Sequence, residues 1–194
     1  MIFDPKIHHR RSIRLKGYDY SLAGAYFVTI DTYQHEQLLG EITLGEMKLN
    51  ASGLIVHHAW VDLPKHYPNM ELDAFCIMPN HIHGIIVLGG DDHSMAGMGI
   101  VVGAGLRPAP TNPAAPTKAV STTNDIETKH YPLSEIVRAF KSFSARRINL
   151  LRCVKGIPVW QRNYYEHIIR NEREYEAIRD YIIDNPVNWE KSPE

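Results

Sequence analysis

Sulfur chemistry has little to work with in this chain. It has two cysteines, Cys76 and Cys153, far apart and with no Cys-x-x-Cys. Neither a disulfide framework nor a thiolate zinc site is indicated, and the zinc-deaminase signature is absent. Long apolar runs are missing as well. None reaches the ~18 residues of a membrane helix, and the first residues are basic and polar, unlike a secretion signal. The expectation is a cytoplasmic protein with no membrane partner. Net charge is almost nil, 21 Lys and Arg against 22 Asp and Glu, so composition alone announces no polyanion. The chain does have 194 residues that are 44% hydrophobic, enough for one domain with a substantial core.

Distribution of charge says more than its sum. "KIHHRRSIRLKG" carries Lys6, Arg10, Arg11, Arg14 and Lys16 without an acid. "IVRAFKSFSARRINLLRCVK" carries Arg138, Lys141, Arg146, Arg147, Arg152 and Lys155, again without one, while acids gather in Glu172 to Asp184. Such segments are either solvated faces or places where a polyanion is held.

Apolar spacing and turn residues divide the chain. "GAYFVTIDTY" predicts a strand, and "LLGEITLGEMKLN" two short strands about a Gly-containing turn. The stretch from Ser52 has near-helical spacing and ends by Pro64. "MELDAFCIM" and "HIHGIIVLGG" are two strands joined through Pro79 and Asn80, hence a tight antiparallel pair. From Gly89 to Lys129 the composition turns to Gly, Pro, Ala, Ser and Thr without periodicity, which predicts a flexible insertion within the domain, 89–129. A helix follows, with Ser134 as its expected N-cap and Ile136, Phe140, Phe143 and Leu151 on one side. "IPVWQRNYYEHIIR" contains a strand, and a last helix starts at Asn171, with Glu174 as capping-box partner. Asn185, before Pro186, is expected to close it. The order β-ββ-α-ββ-α-β-α predicts an α+β protein, an antiparallel sheet with helices packed mainly on one face.

His81 and His83 interrupt an apolar strand. Residues two apart share a strand face, so both imidazoles point one way while Ile82, Ile86 and Leu88 point the other. Gly84 is read as room for a ligand beside them. Two imidazoles can hold a divalent ion if a further ligand is found. The His-x-His-x-Asp-His pattern of binuclear hydrolases is broken, because Ile85 and Ile86 stand at its later positions. Tyr181 and Asn185 lie four apart on one helical face. Asn185 offers an amide oxygen suited to a hard ion, or a helix cap; Tyr181 offers a nucleophile, or a core ring.

His81-Ile82-His83 after "MPN", taken with "VWQRNYYEHIIRNEREYEAIRDYIIDNPVNW", resembles the single-tyrosine HUH (His-hydrophobic-His) transposases, in particular the REP-associated tyrosine transposases. The resemblance runs from "GYDYSLAGAYFVTI" to Trp189 and leaves out the insertion. It implies one HUH domain over 1–194, with a basic segment at 1–20. The implied fold is ferredoxin-like or RRM-like, with the histidines on a sheet strand and a catalytic tyrosine on the last helix. His81 and His83 match the family's metal-binding histidines, Asn185 its third metal ligand and Tyr181 its nucleophile. Tyr164, Tyr165 and Tyr175 are thereby set aside, and Tyr175 suits a core position with Ile178 and Ile182.

The implied cofactor is magnesium or manganese. The implied reaction is nicking and joining of single-stranded DNA next to a hairpin, through a 5′-phosphotyrosine. Arg10, Arg11, Arg14, Arg138, Lys141, Arg152 and Lys155 are the expected phosphate contacts. A homodimer, with Tyr181 serving the partner's histidines, is compatible with this. The rival expectation is a module that binds hairpin DNA, or RNA, without cutting it.

Overall fold

The computed structural model describes residues 19–89 and 130–189, so Arg10, Arg11, Arg14 and nearly all of the 89–129 stretch lie outside the described residues. Six strands and four helices follow in chain order: β1 (Gly24–Asp31), β2 (Gly40–Thr43), β3 (Glu46–Leu49), α1 (Ala51–Val61), α2 (Leu63–His66), β4 (Met70–Ile77), β5 (His81–Leu88), α3 (Leu133–Leu151), β6 (Tyr165–Ile169) and α4 (Glu172–Trp189). The expected order holds, with the short α2 and a 3-10 turn at Tyr33–His35 added. Among the described residues no helix is long and apolar enough to cross a membrane.

The main sheet has the order β4-β5-β1-β6 with every neighbouring pair antiparallel, and β2 and β3 form a separate hairpin. Two crossovers are interleaved: β1 passes through α1 to β4 with β5 between them, and β5 passes through α3 to β6 with β1 between them. This is the ferredoxin-like arrangement.

Alternation along the strands separates two cores. Tyr26, Val28 and Ile30 of β1 and Ile82, Ile86 and Leu88 of β5 face α1 and α3, against Trp60 and Phe140. Ala25, Phe27, Ile85 and Ile169 face the other way and meet Ile182 of α4. Helices therefore cover both faces, two long ones on one side and α4 on the other. The continuous apolar run after His83 fits a strand buried on both sides.

Four local expectations are corrected. A Cβ on Gly84 would lie 2.5 Å from Cζ2 of Trp60. The missing side chain makes room for the α1 indole in the core, on the face opposite the histidines. Ser134 is not the cap of α3; Pro132 holds that position without a side-chain bond. Phe143 and Leu151 are 43% and 49% exposed, and the buried stripe runs through Ser144 instead. The Ser144 hydroxyl donates to Phe140 O at 2.7 Å and accepts from Trp160 Nε1 at 2.9 Å, so a polar group sits in the core with both bonds made. Phe143 lies outside that stripe, under the Arg147 guanidinium at 4.2 Å.

The fourth correction concerns α4. Asn171 caps it as expected, accepting from Glu174 N at 2.9 Å. Glu174 reaches back to Arg170 N at 2.8 Å and to His167 Nε2 at 2.7 Å. Asn185 does not close the helix; α4 runs through Pro186 to Trp189. An interior proline removes one helical bond and costs about 3 kcal/mol, so contacts made by the last turn must hold it.

Candidate active site

His81 opens β5 directly after the Pro79–Asn80 turn, which Met78 N closes onto His81 O at 2.8 Å. The turn is tied down by Thr32 N to Asn80 O at 2.8 Å and Leu39 N to Pro79 O at 3.0 Å. His83 is paired on one side with Thr29 of β1 and on the other with Cys76 of β4.

The two imidazoles converge, Nε2 to Nε2, at 2.9 Å. Their outer nitrogens are both held: His81 Nδ1 by Asn80 Oδ1 at 2.7 Å, His83 Nδ1 by Thr29 Oγ1 at 2.8 Å. Asn80 Oδ1 only accepts, so Nδ1 of His81 carries the proton and its Nε2 presents a lone pair. The Thr29 hydroxyl has two options. If it accepts from His83 Nδ1, two lone pairs face each other and a cation belongs between them. If it donates, His83 Nε2–H satisfies His81 and the pair needs no ion.

Burial pushes both histidines down, to about 4 for His81, where Asp31 partly opposes the shift. His83 falls to about 3, with His81 adding to the burial effect. Both are neutral near pH 7, as ligands must be.

The spacing of the pair suits two adjacent ligands of an octahedral divalent ion. Bonds of ~2.1 Å at right angles place two donors about 3 Å apart, close to the 2.9 Å between the two Nε2 atoms. Each imidazole also has the outer hydrogen-bond partner that metal-ligating histidines use. Among the described residues no group of three His, Cys, Asp or Glu side chains is placed to hold a metal, so an ion at the histidine pair would need a further donor of another kind.

α4 crosses this face of the sheet. The Tyr181 hydroxyl lies 3.4 Å from His83 Nε2, and its ring is 5.3 Å from the His83 ring. Two turns later the Trp189 ring lies 5.8 Å from that of His81. Asn185 is four residues from each, on the same helical face. Phe27 stacks on His83 at 5.5 Å and meets Tyr181 edge-on at 6.2 Å.

The helix is anchored from β4. The Tyr175 hydroxyl donates to Asp73 Oδ2, and Arg179 Nε lies 3.8 Å from Asp73 Oδ1. Asp73 sits in the irregularity of β4 between Leu72 and Phe75. Burial, then the Asp73 carboxylate, raises the Tyr175 phenol well above its ordinary range. Tyr175 packs with Ile178 and Ile182 as expected; Tyr181 is 51% exposed.

The basic residues of α3 are placed elsewhere. α3 packs on the opposite sheet face from α4; Arg138 and Lys155 are exposed, and Arg152 lies 3.9 Å from Glu36. Lys141 donates to the carbonyls of Gln161, Arg162 and Asn163, and burial lowers it to about 8. Sequence reasoning missed Thr29, Asn80, Phe27, Asp73 and Trp189. Asn80 was open to notice beside His81; the others need strand register or the crossing of α4.

No protein-family model matches the chain. An uncharacterized protein of Haemophilus influenzae is 37% identical over 193 residues, which is 97% of this chain and 94% of that one. A second protein of that organism, provisionally named a REP-associated tyrosine transposase, is 24% identical over 169 residues, 87% of this chain and 73% of the other. Among solved structures, a REP-associated tyrosine transposase bound to a REP hairpin overlays with TM-score 0.52 and 20% identity, over 91% of this chain and 73% of its own. A Deinococcus radiodurans crystal structure, provisionally called a transposase, gives TM-score 0.42 at 17% identity, over 89% of this chain and 96% of that one. The chain belongs to one family with the 37%-identical Haemophilus protein; it is similar in sequence to the provisionally named REP-associated tyrosine transposase and shares the fold of the hairpin-bound one.

Proposed function

We propose that the chain is a transposase that nicks and joins single-stranded DNA beside a hairpin, with Tyr181 as nucleophile. The observation that carries this reading is the Tyr181 hydroxyl 3.4 Å from His83 Nε2, with His81 Nε2 a further 2.9 Å from the same atom. In this chain Tyr181 meets its own histidines, so the chemistry is proposed in cis.

A magnesium or manganese ion, held by His81, His83 and Asn185, would draw charge from the scissile phosphate and orient it. Tyr181 supplies the nucleophile: its oxygen bonds to phosphorus, the bond from phosphorus to the 3′-oxygen breaks, and a 5′-phosphotyrosine and a free 3′-hydroxyl result. The phenol proton passes to solvent, to which Tyr181 is half open, and the departing 3′-oxygen takes one from water. Reversal by a 3′-hydroxyl joins the ends without ATP. Phe27 and the Asp73 anchor keep the ring in place, as in-line attack requires. The hairpin partner is inferred from the DNA-bound relative, and Arg138, Arg152 and Lys155 would meet phosphates away from the scissile one.

A nicking assay tests the reading. Hairpin oligonucleotides with single-stranded flanks are cut in manganese by the unmodified chain and not by Tyr181→Phe, whose DNA affinity stays within a few-fold. Equal cutting by both removes Tyr181 from its role. One observation favours a silent binder instead: the histidines can satisfy each other without an ion. That alternative predicts DNA binding without cutting at any metal concentration.

A further inference from the structure

Besides Tyr181 and Trp189 of α4, Tyr165 is an aromatic of this face that is in neither core. Thr29 of β1 pairs with His83 on one side and Tyr165 of β6 on the other, so the three form a row across the sheet on the α4 face. Strands lie about 4.8 Å apart, which puts the Tyr165 backbone about 10 Å from that of His83. A scissile phosphate at His83 and a base over Tyr165 then sit about 10 Å apart at the backbone, a gap that a neighbouring nucleotide of an extended strand can span.

α4 leaves this part of the row open. Through Ile182 it covers Ala25 and Ile169, while Tyr165 stays 40% exposed. One edge of the ring is supported by Phe27 at 6.2 Å and 68°, the ring that also supports His83 and Tyr181. The approach to Tyr165 is fixed in advance. Lys141 gathers the carbonyls of Gln161, Arg162 and Asn163, Gln161 N bonds Asp31 O at 2.9 Å, and Trp160 bridges to Thr32. The half-buried Lys141 thus ties down the loop before an exposed ring, and a pre-set stacking surface lowers the ordering cost of binding.

We propose that Tyr165 is a stacking platform for a nucleobase of single-stranded DNA, the base next to the scissile phosphate. This rests on the reading of the chain as a DNA-nicking enzyme. Stacking is indifferent to base identity, so the platform sets the position of the strand rather than its sequence.

The test uses hairpin DNA with 2-aminopurine placed in turn at each position flanking the cut, in a Tyr181→Phe background that keeps the strand whole. One position is quenched on binding when residue 165 is Tyr or, as Tyr165→Phe, a bare ring. Tyr165→Ile, a residue suited to a strand, abolishes that quench and weakens binding about 5- to 150-fold. In the unmutated chain, 5-iodouracil at the same position photo-crosslinks to Tyr165, a readout that needs no variant to fold. Quenching and affinity unchanged in Tyr165→Ile overturn the proposal, as does a crosslink that maps elsewhere. If the unmutated chain binds no hairpin DNA, the underlying reading fails instead, and the platform with it.

Discussion

The Trp189 ring lies 5.8 Å from that of His81, on the far side of a proline that the helix passes through. The contact helps the last turn of α4 to persist and keeps Asn185 within the helix, on the face of Tyr181 and Trp189. Tyr181, Asn185 and Trp189 thus act as one helical edge laid along the start of β5. Trp189→Ala should fray that turn. The expected result is a several-fold loss of manganese affinity by calorimetry with little change in overall stability; undiminished affinity would show that the turn is held by other contacts.

The Thr29 hydroxyl decides which imidazole nitrogen is free. Thr29→Val keeps the shape and removes the partner of His83 Nδ1, and loss of such an outer partner lowers metal affinity about 10- to 100-fold. Titration of manganese into Thr29→Val and the unmutated chain measures it. Equal affinities would mean that the hydroxyl donates to His83 and the pair is not set up for an ion.

Asp73 anchors α4 through Tyr175 and Arg179. Asp73→Asn keeps the size and removes the charge, and should cost about 1–3 kcal/mol in urea unfolding, the range for bonds to a charged group. Cutting should slow by more than stability falls, because the orientation of Tyr181 depends on the same anchor.

Acid should unfold the metal-free chain through the histidine pair. Both groups titrate near 6.5 when unfolded and at about 4 and about 3 when folded. The folded values are depressed, so the stability is present above pH ~6.5 and is lost as pH falls toward the folded values, where the unfolded chain binds protons first. Urea midpoints at pH 7 and pH 4.5 check the sign. The double variant His81→Gln, His83→Gln should show a shallower dependence.

Gly84 separates core from site. Gly84→Ala should destabilise by about 1–3 kcal/mol through overpacking against Trp60 and leave manganese affinity unchanged below the melting transition. A selective loss of affinity would restore the ligand-access reading.

The element order was legible because apolar runs and turn residues agree: "MPN" between two apolar runs has room for a tight hairpin and little else. The shared face of His81 and His83 followed from strand period alone. The same period puts Gly84 on the face opposite the histidines; its partner there was not legible, since Trp60 is distant in sequence. Pro186 misled because local propensity stops a helix there, and tertiary contacts of the last turn, Trp189 with His81 and Val187 with the turn at Gly45, override it. Phe143 misled for the same kind of reason: the buried place beside it goes to Ser144, whose polarity is matched by Trp160 across a loop. The tyrosines near the end of the chain are alike in sequence; the crossing of α4 brings Tyr181 to His83 and Tyr175 to Asp73.

The most direct measurement is tandem mass spectrometry of the chain after incubation with single-stranded hairpin DNA and manganese. A nucleotide remnant attached to the Tyr181 phenol through a 5′-phosphate is the expected product. A cut strand with no adduct, or an adduct on Tyr165, Tyr175 or another residue, would contradict the assignment of Tyr181 as the nucleophile.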